Sequence, residues 1–343
     1  MSITDLGERE KKIFKNLIDH YITTAEPVGS RTLSRRYKIG LSAASIRNIL
    51  KDLEDMGYLV QPHTSAGRVP TNEGYRSYVD YLLTPENLTD SEKTYIRDNM
   101  KTEYTAVGQL LEQTSRILSN LSKQLGVAMT PKFESAVLTR LELIPVAEKK
   151  LMVVLVVKSG LIKSILIEVD SNLPDLALGE TSRVLNERLC GLTLGEIKKT
   201  IRERVKNIEA GDAKLIRLFV EGSDEIWDLP PDENLHFGST TNLFRQPEFR
   251  NPRDMAEMVG LIEDRTAISQ MFDRTGIEEG ISINIGYKTV NEKSEQLSLL
   301  TSSYNMGKVK GMIGVIGPTR MNYAKLVSLV DYTARMLSEV FAE

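Results

Sequence analysis

The stretch from Ser42 to Gly57 constrains the chain more than any other. Ile46, Ile49, Leu50 and Leu53 recur there at i, i+3, i+4 and i+7, which predicts a helix over residues 43–56 with a single apolar stripe. Ser42 suits its N-cap and Gly57 its stop. A helix this short is stable only when its stripe is buried against neighbours, and the sequence supplies them upstream. Residues 5–22 carry Leu6, Ile13, Leu17, Ile18 and Tyr21 at mostly helical steps, with Thr4 or Asp5 as cap. Thr24–Gly29 breaks that helix, because proline and glycine punctuate helices. Ser30 is then placed to cap a short second helix, Arg31–Tyr37, with Leu33 inside. Gly40 suits the tight corner into the third helix. Tyr58–Val60 and Val69–Pro70 follow as two short β-prone runs around a Ser-Ala-Gly loop. The segment therefore reads as helix, helix, tight turn, helix and a β-hairpin wing.

Chemistry follows from that order. In a helix-turn-helix unit the start of the third helix enters the major groove of duplex DNA. Its outward face carries Ser42, Ala44, Ser45, Arg47 and Asn48. The small residues allow close approach, Arg47 can give guanine two hydrogen bonds, and Asn48 can do the same for adenine. The wing offers His63, Thr64, Ser65, Gly67 and Arg68. Gly67 would let the backbone approach phosphates, and Arg68 fits either a phosphate or a narrow minor groove. Arg31, Arg35 and Arg36 on the second helix suit phosphate contacts. A lone arginine is usually solvated surface; the ordered set of caps, turn and basic loop is what gives these residues a shared purpose.

Charge supports this only modestly. The net charge is −3 over 343 residues, yet residues 1–70 hold eleven Lys/Arg against eight Asp/Glu, leaving 33 against 39 in the remainder. Phosphates respond to a local basic face rather than to the whole-chain balance. The longest apolar runs, such as Leu151–Val157, fall far short of the ~20 residues that cross a bilayer, so no membrane partner is expected. The charged N-terminus lacks an apolar signal core, and the cytoplasm is the expected compartment. Cys190 has no cysteine partner, and His20, His63 and His236 are scattered without metal-binding spacing, so neither a disulfide nor a metal is expected.

Further along, Tyr75–Leu83 continues helically, and residues 91–125 form a long helical stretch, interrupted near Gly108, with Leu110, Ile117, Leu118, Leu121 and Leu125 as its seam. That seam serves its own domain's packing, a connector role, or both. Ala136–Leu143, Leu151–Val157 and Ile162–Val169 read as strands, the last two joined at Lys158–Gly160, and their near-continuous apolar runs suit a sheet covered on both faces. Ile281–Tyr287, Gln296–Tyr304 and Gly311–Ile316 are strands again, before a helix over Met321–Phe341. Between the two strand blocks, residues 175–274 read as mainly helical, with strand-like Leu215–Val220 and Phe237–Leu243 inside. A sheet domain split by a mixed helical insert accounts for this order. Gly311, Gly314 and Gly317 are spaced G-x-x-G-x-x-G, which matches neither the dinucleotide nor the phosphate-loop signature; a strand-to-helix turn is the better reading. No nucleophile–base–acid set is suggested, and no cofactor is expected.

The blocks EPVGSRTL, SAASIRNILKDLEDMGYL and HTSAGRVPTNEGYRSYVDYLL, all within Glu26–Leu83, strongly resemble the HrcA family of heat-inducible transcription repressors. FESAVLTRLELIPV and GMIGVIGPTRMNYAKLVSLVDYTARML are similar to it too, so the resemblance spans the chain, with no departure in the DNA-binding blocks. It implies a dimer that binds an inverted-repeat, double-stranded operator upstream of chaperone operons. It also implies a chaperonin that keeps the repressor active, with DNA binding lost on heat stress. The implied fold is α+β and multidomain: a winged helix-turn-helix DNA-binding domain over 1–72, a helical connector over 73–130, a GAF-like α/β domain over 131–174 and 276–343, and an inserted dimerisation domain over 175–275. Two other functions compete. A metabolite-sensing regulator would use the GAF-like domain, although no pocket signature shows. An enzyme with a fused winged helix, as in biotin protein ligases, would need an adenylating Gly/Arg loop that is missing.

Overall fold

The computed structural model describes residues 3–101, 107–131, 135–158, 162–169, 174–206, 210–222, 226–227, 234–276, 280–287, 296–307 and 309–342. It is a mixed α+β chain with antiparallel sheets. Helices α1 (Glu8–Thr24), α2 (Ser30–Arg36) and α3 (Ala43–Asp55) precede the hairpin β1 (Leu59–Val60) and β2 (Val69–Pro70). Ile13, Phe14, Leu17 and Ile18 of α1, Leu33 of α2, and Ile46, Leu50 and Leu53 of α3 share one buried core. The Ser42 hydroxyl accepts the Ser45 N–H at 3.1 Å, as an N-cap should. Gly40 adopts φ 75°, a conformation that costs glycine little, and so turns the chain from α2 into α3. The caps of the first two helices differ from expectation. Gly7, with Glu10 reaching back to its N–H at 2.8 Å, starts α1, and Gly29 precedes α2.

Helix α4 (Asn72–Tyr81) follows, capped by Thr71, and its Tyr78 hydroxyl donates to the Asp19 carboxylate of α1 at 2.8 Å. Next come α5 (Asp90–Met100) and α6 (Val107–Ser122). Leu125, expected in the seam of a helix running to that point, instead begins strand β3 (Leu125–Met129), because the chain turns at Lys123 with φ 58°. Residues 102–106 lie outside the described set.

Among the described residues, three strands then form a separate sheet: β4 (Leu138–Ala147), β5 (Lys150–Val157) and β6 (Ile162–Glu168), in the order β4-β5-β6. The turn expected at 158–160 falls largely on residues outside the described set. Helices α7 (Asp175–Leu189), α8 (Leu194–Arg204) and α9 (Ala213–Glu221) accompany this sheet. Leu138, Leu141, Val153 and Leu155 pack with Leu185, Leu189, Leu194 and Ile197 on its inner face. Residues 215–220, expected as strand-like, belong to α9, whose first turn is capped by the Asp212 carboxylate.

The larger sheet has five strands in the order β7-β3-β10-β9-β8, all antiparallel. Here β7 is Leu235–Phe237, β8 is Ile281–Tyr287, β9 is Leu297–Met306 and β10 is Val309–Pro318. Only the start of the expected 237–243 strand is extended; residues 241–244 form the short helix α10 (Thr241–Phe244). Helices α11 (Pro252–Glu263) and α12 (Arg265–Thr275) cover one face of the five-stranded sheet through Met258, Leu261, Ile268 and Phe272. Helix α6 and the final helix α13 (Tyr323–Val340) cover the other through Leu118, Leu326, Leu329 and Val330. Burial on both faces explains why β3 and β10 are almost wholly buried.

These pairings correct two expectations. The strands over 131–174 do not join those over 276–343 in one split sheet, since β4–β6 close among themselves. Residues 235–275, expected within the insert, supply β7 and the α11–α12 layer of the larger sheet. The sheet expected to be covered on both faces is open on one. Ile162, Leu166, Val146 and Ile144 stand 65 %, 56 %, 53 % and 39 % exposed. Gly311, Gly314 and Gly317 all lie inside β10, and a Cβ at Gly311 would overlap the Tyr304 ring. Their smallness serves strand packing rather than the strand-to-helix turn expected of them.

Candidate nucleic-acid interface

The start of α3 and the β1–β2 loop border one cleft of about 420 Å³. Arg31, Arg47, Thr64, Ser65, Gly67 and Arg68 line it, with Gln61 and the chain at Val28–Ser30. Six of the thirteen DNA-face residues expected from sequence thus meet around one opening. Ser42, Ala44, Ser45 and Asn48 lie exposed on α3 alongside it, while Arg35, Arg36 and His63 are exposed outside its lining. The folding logic is local. Burying Ile46, Leu50 and Leu53 turns the opposite face of α3, with Arg47 and Asn48, outward. Acidic Asp52 and Asp55 stand exposed at the far end of the same helix. The cationic end of α3 is therefore its N-terminal end, where the helix dipole also favours anions.

The loop is built rather than loose. Gln61 Nε2 donates to the carbonyls of Thr64 and Ala66, both at 3.0 Å, and the Ala66 N–H donates to the His63 carbonyl at 2.9 Å. Val28 and Arg68 exchange two backbone hydrogen bonds of 2.9 Å, which add a third chain segment beside the hairpin. A Cβ at Gly67 would overlap the Val28 carbonyl group. The glycine is thus required by this contact within the chain itself, whatever lies outside.

Arg68 is placed differently from expectation. Its Nη2 and Nε lie 2.8 and 2.9 Å from Glu54 Oε2, and its side chain is only 18 % exposed. The pair ties the loop to the last turn of α3. Rather than standing free in solvent, the guanidinium is already held by a carboxylate at the edge of the cleft. Glu54, Gln61 and Val28 were missed from sequence. The signal for Glu54 was an acid on the buried side of α3's final turn, opposite the one basic residue of the loop. Among the described residues no group of three or more His, Cys, Asp or Glu is placed to hold a metal, and no helix is long and apolar enough to cross a membrane.

The model of the HrcA protein C-terminal domain matches residues 108–327. A heat-inducible transcription repressor HrcA from Geobacter sulfurreducens is 38 % identical over 340 residues, covering 98 % of this chain and 99 % of that protein. The protein of that name from Pelotomaculum thermopropionicum is 35 % identical over 336 residues, covering 98 % of this chain and 97 % of its own. This chain belongs to the HrcA family. A solved structure described as a hypothetical protein at 2.2 Å resolution shares its fold, with a TM-score of 0.62 and 25 % identity over 98 % of this chain and 99 % of that one. The similarity to HrcA proteins therefore runs through the α3–hairpin cleft and both sheets alike.

Proposed function

We propose that the chain is a sequence-specific transcription repressor that binds an inverted-repeat operator of heat-shock genes as a dimer. The carrying observation is the cleft that unites Arg47 on α3 with the β1–β2 loop. In this reading residues 1–72 form a winged helix-turn-helix, with α3 as recognition helix and the hairpin as wing. Ser42, Ala44, Ser45, Arg47 and Asn48 face base edges, while Arg31, Arg35, His63, Thr64, Ser65, Gly67 and Arg68 line the flanking backbone. The five-stranded sheet with its two helical layers is the GAF-like body, and β4–β6 with α7–α9 is the inserted dimerisation unit.

The open face of that insert supports the dimer. Ile144, Met152, Val154, Val156, Ile162 and Leu166 share it through the cross-strand pairs Ile144–Met152, Met152–Leu166 and Val156–Ile162. Arg140, Glu142 and Ser164 lie among them on the same face, opposite Val156 and Val154; an open, mainly apolar face of this kind marks an interaction surface, and a second copy presents the same face about a two-fold axis. That symmetry matches an inverted repeat. Chaperonin control and loss of binding on heating belong to the same proposal and rest on family membership. The test is selection of bound fragments from genomic DNA, followed by binding against temperature with and without chaperonin. Recovery of an inverted repeat bound by a dimer supports the reading; recovery of no preferred sequence overturns it.

A metabolite-sensing use of the GAF-like body has no observation in its favour here, and the relatives matched along the full chain are named repressors.

A further inference from the structure

The DNA-reading unit meets the five-stranded body at a small buried polar junction built on Arg320. This residue lies in the loop between β10 and α13, and its side chain is 11 % exposed. Its guanidinium reaches three groups from two other segments. Nε and Nη2 donate to Glu248 Oε1 and Oε2 at 2.6 and 3.2 Å, and Nη2 also lies 3.3 Å from Gln246 Oε1. Nη1 donates to the backbone carbonyl of Ile22 at 2.5 Å. Ile22 is in the last turn of α1, where carbonyls have no partner within the helix and the dipole favours a cation. A planar five-donor fork can hold a carboxylate through two parallel bonds and a carbonyl at once; the compact ammonium of lysine lacks that fork.

The junction has a second point of attachment on α4. Arg76 Nη2 donates to the Ile285 carbonyl of β8 at 2.9 Å, and the Tyr75 ring lies 6.1 Å from that of Tyr323. Helix α1 in turn shares its core with α3 through Leu17, Ile18, Ile46 and Leu50. Fixing the end of α1 therefore fixes the direction in which α3 projects from the body.

We propose that Arg320 is a positioning residue for operator binding: by clamping the Ile22 carbonyl of α1 and Glu248 of the body together, it sets the separation of the two recognition helices in the dimer. The proposal rests on the dimeric-operator reading above. Half-sites on one face of DNA are separated by about 34–36 Å per helical turn, so a swivelling reader can still bind one half-site but loses the advantage of binding two.

Two measurements on the full-length chain test this, with Arg320→Gln and the gentler Glu248→Gln. In the first, without DNA, amide hydrogen exchange is followed at residues 21–25 and 246–250. Both segments are expected to exchange roughly ten-fold faster in Arg320→Gln, while β9 and β10 keep their protection. In the second, affinity is measured for a selected inverted repeat, for a single half-site duplex, and for repeats lengthened base pair by base pair through one turn. The variants should bind the half-site within about two-fold of the parent, bind the repeat roughly ten-fold more weakly, and tolerate altered spacing better. Unchanged exchange overturns the clamp. So does an equal loss on half-site and repeat, which marks a plain folding defect. A parent chain with no preference for the repeat removes the dimeric-operator reading instead, and exchange at the two segments still decides whether Arg320 holds the junction.

Discussion

Replacing Glu54 by Gln should strengthen DNA binding and make it more sensitive to salt. Glu54 holds Arg68 by two contacts of 2.8 and 2.9 Å at the mouth of the cleft, with the two side chains 28 % and 18 % exposed. Glutamine keeps the volume and one acceptor oxygen but removes the charge, so Arg68 can exchange a neutral partner for a phosphate. One added phosphate contact steepens the log–log salt slope by about 0.9, equivalent to about 3.5-fold between 50 and 200 mM salt. The stability cost is small, about 0–1 kcal/mol for a partly exposed pair, so the protein should stay folded throughout. Fluorescence anisotropy titrations at several salt concentrations read the slope, with Arg68→Ala as the counterpart that leaves it no steeper than the parent. A Glu54→Gln protein with an unchanged slope, or weaker binding at every salt, would show that Arg68 gains no phosphate when its partner loses its charge. Arg68 would then serve only to fasten the loop to α3.

Three further outcomes follow. Ile162→Lys and Leu166→Glu alter residues that are 65 % and 56 % exposed, so folding should survive while sedimentation shows monomers that bind the repeat no more tightly than a single half-site. Gly311→Ala drives a methyl into the Tyr304 ring, whose hydroxyl donates to the Met129 carbonyl at 3.0 Å. Overpacking of this kind costs about 1–3 kcal/mol, read as a lowered unfolding midpoint with DNA binding intact in the cold. Burial lowers the His236 imidazole below its usual range, with Arg265 adding to the effect and Glu112 opposing it. The unfolded chain then takes up the proton first, so His236 favours folding fully above its ordinary value near 6.5 and progressively less as pH falls below that. Thermal melts from neutral to mildly acidic pH should show a decline that His236→Gln reduces; identical profiles would dismiss this contribution.

The sequence made α3 legible because its signals are local: the Ser42 cap, the stripe and Gly57 each act within a turn. The end of α6 was hidden because Lys123, neither glycine nor proline, takes the left-handed conformation that stops it. The strand-like look of Leu215–Val220 gave way to the Asp212 cap and to packing of Leu215, Ile216 and Phe219 on one face. The insert sheet misled for a different reason. Along β5, Leu151, Val153 and Leu155 face inward while Met152, Val154 and Val156 face outward, yet all are apolar, so alternation is invisible. A sheet covered within its own domain and one awaiting an outside partner give the same string of letters. Arg68 and Glu54 are fourteen positions apart, and only the tertiary fold shows that they meet. Arg31, Arg47, Thr64 and Ser65 border one cleft, because a hairpin directly after α3 has little freedom to go elsewhere.

The most direct test of the DNA face is a comparison of Arg47→Ala with the parent chain on two duplexes, the selected inverted repeat and a scrambled sequence of equal length. Arg47 is exposed on α3 beside the cleft, and a bidentate base contact contributes about 1–3 kcal/mol of discrimination. The variant should therefore lose about 5- to 150-fold on the repeat and almost nothing on the scrambled duplex. Equal losses on both duplexes, or none on either, would contradict the claim that the start of α3 reads sequence.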